Sequence, residues 1–157
     1  MLATVFVLCV LAAQAPQPCF TPPSCLDEKE ARRIASISSA EKRLTRYLAL
    51  TLMERTWVES LPEEAWDDDK VGFSRESLRR LYCGWKGIEK ELQTWVPTGD
   101  KEKRKLARIA ARVSDDHQRI KQLKGRTWPP YSYCLEHILK VIDEVQLKLG
   151  STSSVSP

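Results

Sequence analysis

The chain has 157 residues, and its 25 Lys and Arg against 21 Asp and Glu leave a formal net charge of +4. That length allows one domain with a modest core, and a charge so near balance argues against a nucleic-acid binder. The chain contains no Asn, which excludes N-linked glycosylation.

The chain opens on an apolar run, Val5 to Ala13, followed by the small-x-small pattern Ala13-Gln14-Ala15. The run is shorter than the ~20 residues that span a bilayer, so residues 1–15 read as a secretory signal peptide. A proline-rich lead follows over residues 16–25, and the domain proper is expected over 26–150. No later stretch has membrane length, so the product is expected to be secreted and extracellular, with no membrane insertion. Cys9 leaves with the signal. Cys19, Cys25, Cys83 and Cys134 remain, an even number in an oxidising compartment. Three connectivities satisfy four cysteines. The favoured one joins Cys83 to Cys134 across distant segments and Cys19 to Cys25 around a short loop of turn formers.

Beyond the lead the pattern is helical. A first segment is expected from Leu26 to Trp57, with Ser24 or Asp27 as its cap and Glu28 and Glu30 near its positive end. Its apolar positions, Ile34, Ile37, Leu44, Tyr47, Leu48 and Leu52, recur at helical spacing. A second is expected after Ser74. It carries a continuous stripe of Leu78, Leu81, Trp85, Ile88, Leu92 and Trp95. Gly84 and Gly87 inside it each cost ~1 kcal/mol against Ala, which points to close helix approach there. Pro97-Thr98-Gly99-Asp100 ends it. A third segment carries Leu106, Ile109, Ala110 and Val113; Asp115 and Asp116 then interrupt the stripe, so it either resumes at Ile120 and Leu123 and runs to Lys124 or, the favoured reading, ends near Ser114. A fourth starts near Ser132, buries Leu135, Ile138, Ile142, Val145 and Leu149, and stops at Gly150. Residues 151–157 read as a disordered tail.

Four amphipathic helices pack most economically as an all-α four-helix bundle. The long Trp57–Phe73 link allows a crossover; a third helix running to Lys124 would leave a short last link and favour simple up-and-down order, whereas one ending near Ser114, the favoured reading, gives up-up-down-down. Trp85 and Trp95 belong to the core. Trp57, Trp66 and Trp128, in or beside links, either cover the bundle ends or face a partner.

The sequence holds no nucleophile elbow, HExxH, phosphate loop or zinc-ligand spacing, so no enzyme activity, metal or cofactor is expected. His117 and His137 stand alone. The acidic residues Glu63, Glu64 and Asp67 to Asp69 read as a solvated loop. The run Lys101 to Lys105 reads as a charged helix start, with weak heparan sulfate contact as its sharper alternative.

The residues also resemble a family. The pattern of signal peptide, helices, first crossover and cysteines looks like a short-chain four-helix cytokine, nearest to interleukin-4 and interleukin-13. Arg104 to Val113 is similar to the basic-apolar third helix of interleukin-4, Leu135-Glu136-His137-Ile138-Leu139 to its fourth-helix start, and Leu81-Tyr82-Cys83 to its Phe-Cys. The resemblance implies a secreted ligand that pairs cell-surface receptor ectodomains in immune signalling. It implies Glu30, Arg108 and Arg112 as contacts for one receptor chain, with Asp115 where the family has a further arginine. It implies an exposed Gln146 and Lys148 for the second chain. A secreted carrier of a small apolar ligand is the alternative.

Overall fold

A computed structural model describes residues 26–67, 72–129 and 131–153. The signal peptide, the lead with Cys19 and Cys25, Asp68 and Asp69, and residues 154–157 lie outside the described residues. The described part is all-α: α1 Glu28–Ala35, α2 Ala40–Ser60, α3 Glu64–Asp67, α4 Gly72–Thr94, α5 Asp100–Lys124 and α6 Tyr131–Ser153.

The expected first segment is two helices. Asp27 caps α1, its Oδ1 accepting from the Glu30 amide at 2.8 Å, and Ser39 caps α2, its Oγ accepting from the Lys42 amide at 3.4 Å. Between them the chain turns, and Arg43 donates to the carbonyls of Ile37 at 2.7 Å and Ser38 at 2.9 Å. Peptide groups left over by the break are thus satisfied from the next helix. The periodicity carries across the break because α1 also buries Ile34, at 3% exposure. α4 begins at Gly72, so Ser74 is inside the helix rather than its cap. α6 runs through Gly150 to Ser153.

The larger correction concerns α5, which does not end near Ser114 but continues to Lys124. Asp116 does not break the apolar stripe by facing water. It is fully buried, and its Oδ1 accepts from Arg55 of α2 and, at 2.9 Å, from Arg112 one turn earlier. The stripe then resumes at buried Ile120. Only residues 125–130 are left to reach α6, about 20 Å if fully extended. That cannot retrace a 25-residue helix, which is about 37 Å long.

Cross-helix pairs fix the directions. α2 and α4 are antiparallel: Arg43 pairs with Glu91, and Glu54 with Arg80. α2 and α5 are parallel: Lys105 meets Thr45, and Arg55 meets Asp115. α4 and α6 are parallel through Lys148–Glu89 and Lys86–Glu144. α5 and α6 are antiparallel through His117–Asp143 and Lys124–Glu136. The four long helices therefore alternate in direction along the chain, and the expected up-up-down-down order does not fit this register. The Trp57–Phe73 link holds α3 and joins antiparallel neighbours instead of crossing over.

Around the core, α2 contacts α4, α4 contacts α6, α6 contacts α5, and α5 makes slighter contact with α2. Trp85, Leu78, Leu81 and Ile88 of α4 meet Leu44 and Val58 of α2, Val113 and Ile120 of α5, and Leu135, Ile138 and Ile142 of α6 in one cluster. Trp95 and Trp66 join it, and Trp66 packs edge-on against Tyr131 at 5.5 Å between ring centroids. Trp57 and Trp128 stay exposed. The two α4 glycines lie where α2 comes closest: a Cβ on Gly84 would sit 2.6 Å from Thr51 Cγ2, and one on Gly87 would press into the Tyr47 ring. Close approach is thus the reason for both.

Cys83 and Cys134 are buried and disulfide-bonded. Their pairing with each other conflicts with the register. The Glu89–Lys148 and Lys86–Glu144 pairs place α4 residues beside α6 residues 58 or 59 positions later. Cys134 follows Cys83 by only 51. A shortfall of seven or eight residues at 1.5 Å each separates the two by about 11 Å along the bundle, while bridged cysteines need Cα atoms within about 7 Å.

Candidate functional site: the α2/α5 groove and two exposed apolar faces

The seam between α2 and α5 is built from two facing stripes. Glu41, Thr45, Leu48, Leu52, Arg55 and Glu59 follow one another at steps of four and three along α2. Lys101, Lys105, Arg108, Arg112, Asp115 and Arg119 do the same along α5. Each stripe keeps one helix face. Lys105–Thr45, Asp115–Arg55 and Arg119–Glu59 share one offset of 60 residues, so the stripes lie in register.

Both ends of the seam are clamped by charge. At one end the Lys105 ammonium reaches Glu41 at 2.5 Å and Thr45 at 3.1 Å. At the other, Arg55 pairs with Asp115 at 3.0 Å and with Asp116, while Arg119 pairs with Asp115 at 3.1 Å and Glu59 at 3.5 Å. Burial pushes the Asp116 carboxyl above its ordinary value, against the pull of Arg112 and Arg55. The exposed Asp115 is held below its ordinary value, chiefly by the hydrogen bond from Arg119. Arg55 Nε, Arg112 Nη2 and Asp116 Oδ2 are buried without a hydrogen-bond partner. Such groups carry a desolvation cost, so the clamp positions the helices at the expense of stability.

Around the Lys105 clamp and the first half of α5 the stripes leave space beside them. A groove of about 770 Å³ opens there, lined by Glu41, Thr45 and Leu48 of α2 and by Lys101, Glu102, Arg104, Lys105, Arg108, Ile109 and Arg112 of α5. Glu102 is committed to the helix start, accepting from the amides of Thr98 at 2.6 Å and Gly99 at 3.3 Å. Lys101, Arg104 and Arg108 are exposed, and no ion pair to any of them occurs among the described residues. Lys103, in the same charge run, is exposed but outside the groove lining.

The five residues singled out from the sequence separate here. Glu30 is mostly covered and accepts from Arg46 at 2.7 Å. Arg112 is half-buried on Asp116. Lys148 is half-buried and bonds Glu89 at 2.7 Å, and Gln146 is half-buried rather than exposed. Arg108 alone is exposed. Glu30, on α1, is not gathered with Arg108 and Arg112 in the groove lining.

Sequence reading raised Trp57 as a side chain that could face a partner, but missed Met53 and Leu147. On α2, Leu52 is 41%, Met53 56% and Trp57 49% exposed; on α6, Leu147 is 75% exposed. Their signal was available, since Met53, Trp57 and Leu147 fall off the buried stripes of their helices. α2 and α6 lie across the bundle from one another, each flanked by α4 and α5.

No group of three or more His, Cys, Asp or Glu suited to a metal occurs among the described residues. His117 contacts Asp143 at 3.0 Å, and His137 packs edge-on against Tyr133. No described helix is long and apolar enough to cross a membrane. Neither family models, curated proteins nor solved structures match the chain.

Proposed function

We propose that the protein is a secreted, cytokine-like helical ligand that pairs cell-surface receptor chains. The observation that carries this reading is the pair of exposed apolar contacts, Met53 with Trp57 on α2 and the lone Leu147 on α6, on diagonally opposed helices. Trp57 and Met53, one turn apart, offer a strip on α2, and Leu147 offers a single exposed contact on α6. Aromatic residues and Met are enriched at protein–protein contacts, and Trp is among the residues that carry most of their binding energy. Two such faces on opposite sides suit a ligand that brings two ectodomains together and performs no reaction. The disulfide state of Cys83 and Cys134 supports export, because such bonds persist in oxidising compartments.

The architecture proposed is a four-helix bundle with alternating helix directions. The residue-by-residue likeness to interleukin-4 receptor contacts is therefore replaced: Glu30, Arg112 and Lys148 serve internal pairs, and charge reversal there would disturb the bundle itself. The informative variant is Trp57→Ala with Met53→Ala. Both side chains are about half exposed, so folding should be kept while binding of the secreted protein to responsive cells falls at least ~100-fold, as hot-spot truncation does. Undiminished binding would refute the α2 assignment.

A further inference from the structure

We propose that the α2/α5 groove binds a linear sulfated polysaccharide along α5. The exported-ligand reading supplies the place where the protein meets such a polymer, and the binding chemistry stands on the groove alone. Lys101, Arg104, Lys105, Arg108 and Arg112 line it at helical spacing. From Lys101 to Arg112 the axis rises about 16 Å, with a cation at each turn. A single small anion would engage only one or two of these. A chain bearing anions at intervals would engage the row.

Commitment of the charges points the same way. Lys105 and Arg112 are held by Glu41 and Asp116 and set the groove walls. Lys101, Arg104 and Arg108 are exposed and have no carboxylate partner among the described residues. Guanidinium groups bind flat oxyanions in a bidentate fashion. The apolar part of the lining is small: Leu48 is half-buried and Ile109 is buried at 3% exposure. An acidic peptide would find little to anchor an apolar side chain, whereas a densely charged polymer needs no such anchor. The larger apolar faces, Met53 with Trp57 and Leu147, are outside the groove lining.

The test uses the purified full-length oxidised protein on immobilised heparin. The variant Arg104→Glu/Arg108→Glu is compared with Lys90→Glu/Lys140→Glu, which changes net charge equally from exposed sites on α4 and α6. Circular dichroism confirms folding of both. We expect the groove variant to bind about tenfold or more weakly, the control to stay within about threefold, and the salt dependence of binding to fall only for the groove variant. Desulfated heparin should bind poorly. Equal losses in the two variants, undiminished binding to desulfated heparin, or poly-glutamate binding as tightly as heparin would each overturn the proposal. Cell binding that needs Trp57 but ignores heparinase treatment would leave the receptor reading standing without the glycan. Heparin binding that needs Arg108, in a protein with no Trp57-dependent cell binding, would do the reverse.

Discussion

Gly87→Ala tests the antiparallel packing of α2 on α4, on which the alternating helix order rests. In an exposed helix this change stabilises by about 1 kcal/mol, because Ala has the better helix propensity. Here the added Cβ would lie 2.5 Å from Tyr47 Cζ and nearer still to two other ring atoms, whereas ordinary contacts begin at 3.4 Å. The ring must retreat by about 1 Å, and Tyr47 is half-buried between Arg43 and the α4 surface. Overpacking of this kind costs about 1–3 kcal/mol. The net expectation is a loss of about 1 kcal/mol, or roughly 4 °C in Tm for a domain of this size. The decisive step is a double-mutant cycle with Tyr47→Ala. Once the ring is gone, Gly87→Ala should stabilise by about 1 kcal/mol, giving a coupling of about 2 kcal/mol. Chemical denaturation followed by tryptophan fluorescence reads all four proteins. Stabilisation by Gly87→Ala in the wild-type background, or a coupling near zero, would show that Tyr47 does not lie on Gly87 and that the register is wrong.

Three further outcomes follow from the same structure. Asp116→Ala should destabilise by about 2 kcal/mol in denaturant titration, since it removes the buried carboxylate shared by Arg112 and the buried Arg55, which keeps only Asp115 and the more distant Glu59; a loss under about 1 kcal/mol would show the seam does not depend on it. For acid stability, burial pushes Glu89 up, but hydrogen bonds from Lys148 and Lys86 prevail and hold it below its ordinary value. Its contribution is therefore complete above the unfolded value near 4.5 and is lost as pH falls through the lower folded value. Glu89→Gln should flatten the fall in Tm below that point, while Asp116, raised by burial, contributes with the opposite sign and loses its contribution as pH rises. Peptide mapping of the non-reduced protein should find no Cys83–Cys134 peptide; recovering one would contradict the α4/α6 register.

The sequence showed helices wherever the apolar spacing was regular, and the α4 stripe through Trp85 is buried as its periodicity implies. Gly84 and Gly87 announced a close approach, because nothing else justifies two glycines mid-helix. The misreadings share one cause: side chains satisfied by distant partners. Asp116 looked like a helix end because its partner Arg55 is 61 residues away. With α5 shortened, the last link seemed long enough to cross the bundle, and the helix order followed wrongly. Glu30 and Lys148 looked available because Arg46 and Glu89 are brought to them only by folding. The break at Ser36–Ser39 was legible in part, since Ser39 is a good cap. Its cost is offset by Arg43, whose role no local pattern reveals.

The proposed pairing of two receptor chains is tested most directly by dissociation of the labelled protein from intact cells. Wild type, Trp57→Ala/Met53→Ala, Leu147→Glu and their combination would be compared. A ligand held at two faces gains avidity, so each single-face variant should leave about 100-fold faster than wild type and the combination should not bind. If either single-face variant dissociates at the wild-type rate, or the combination still binds, the protein does not join two chains through these faces.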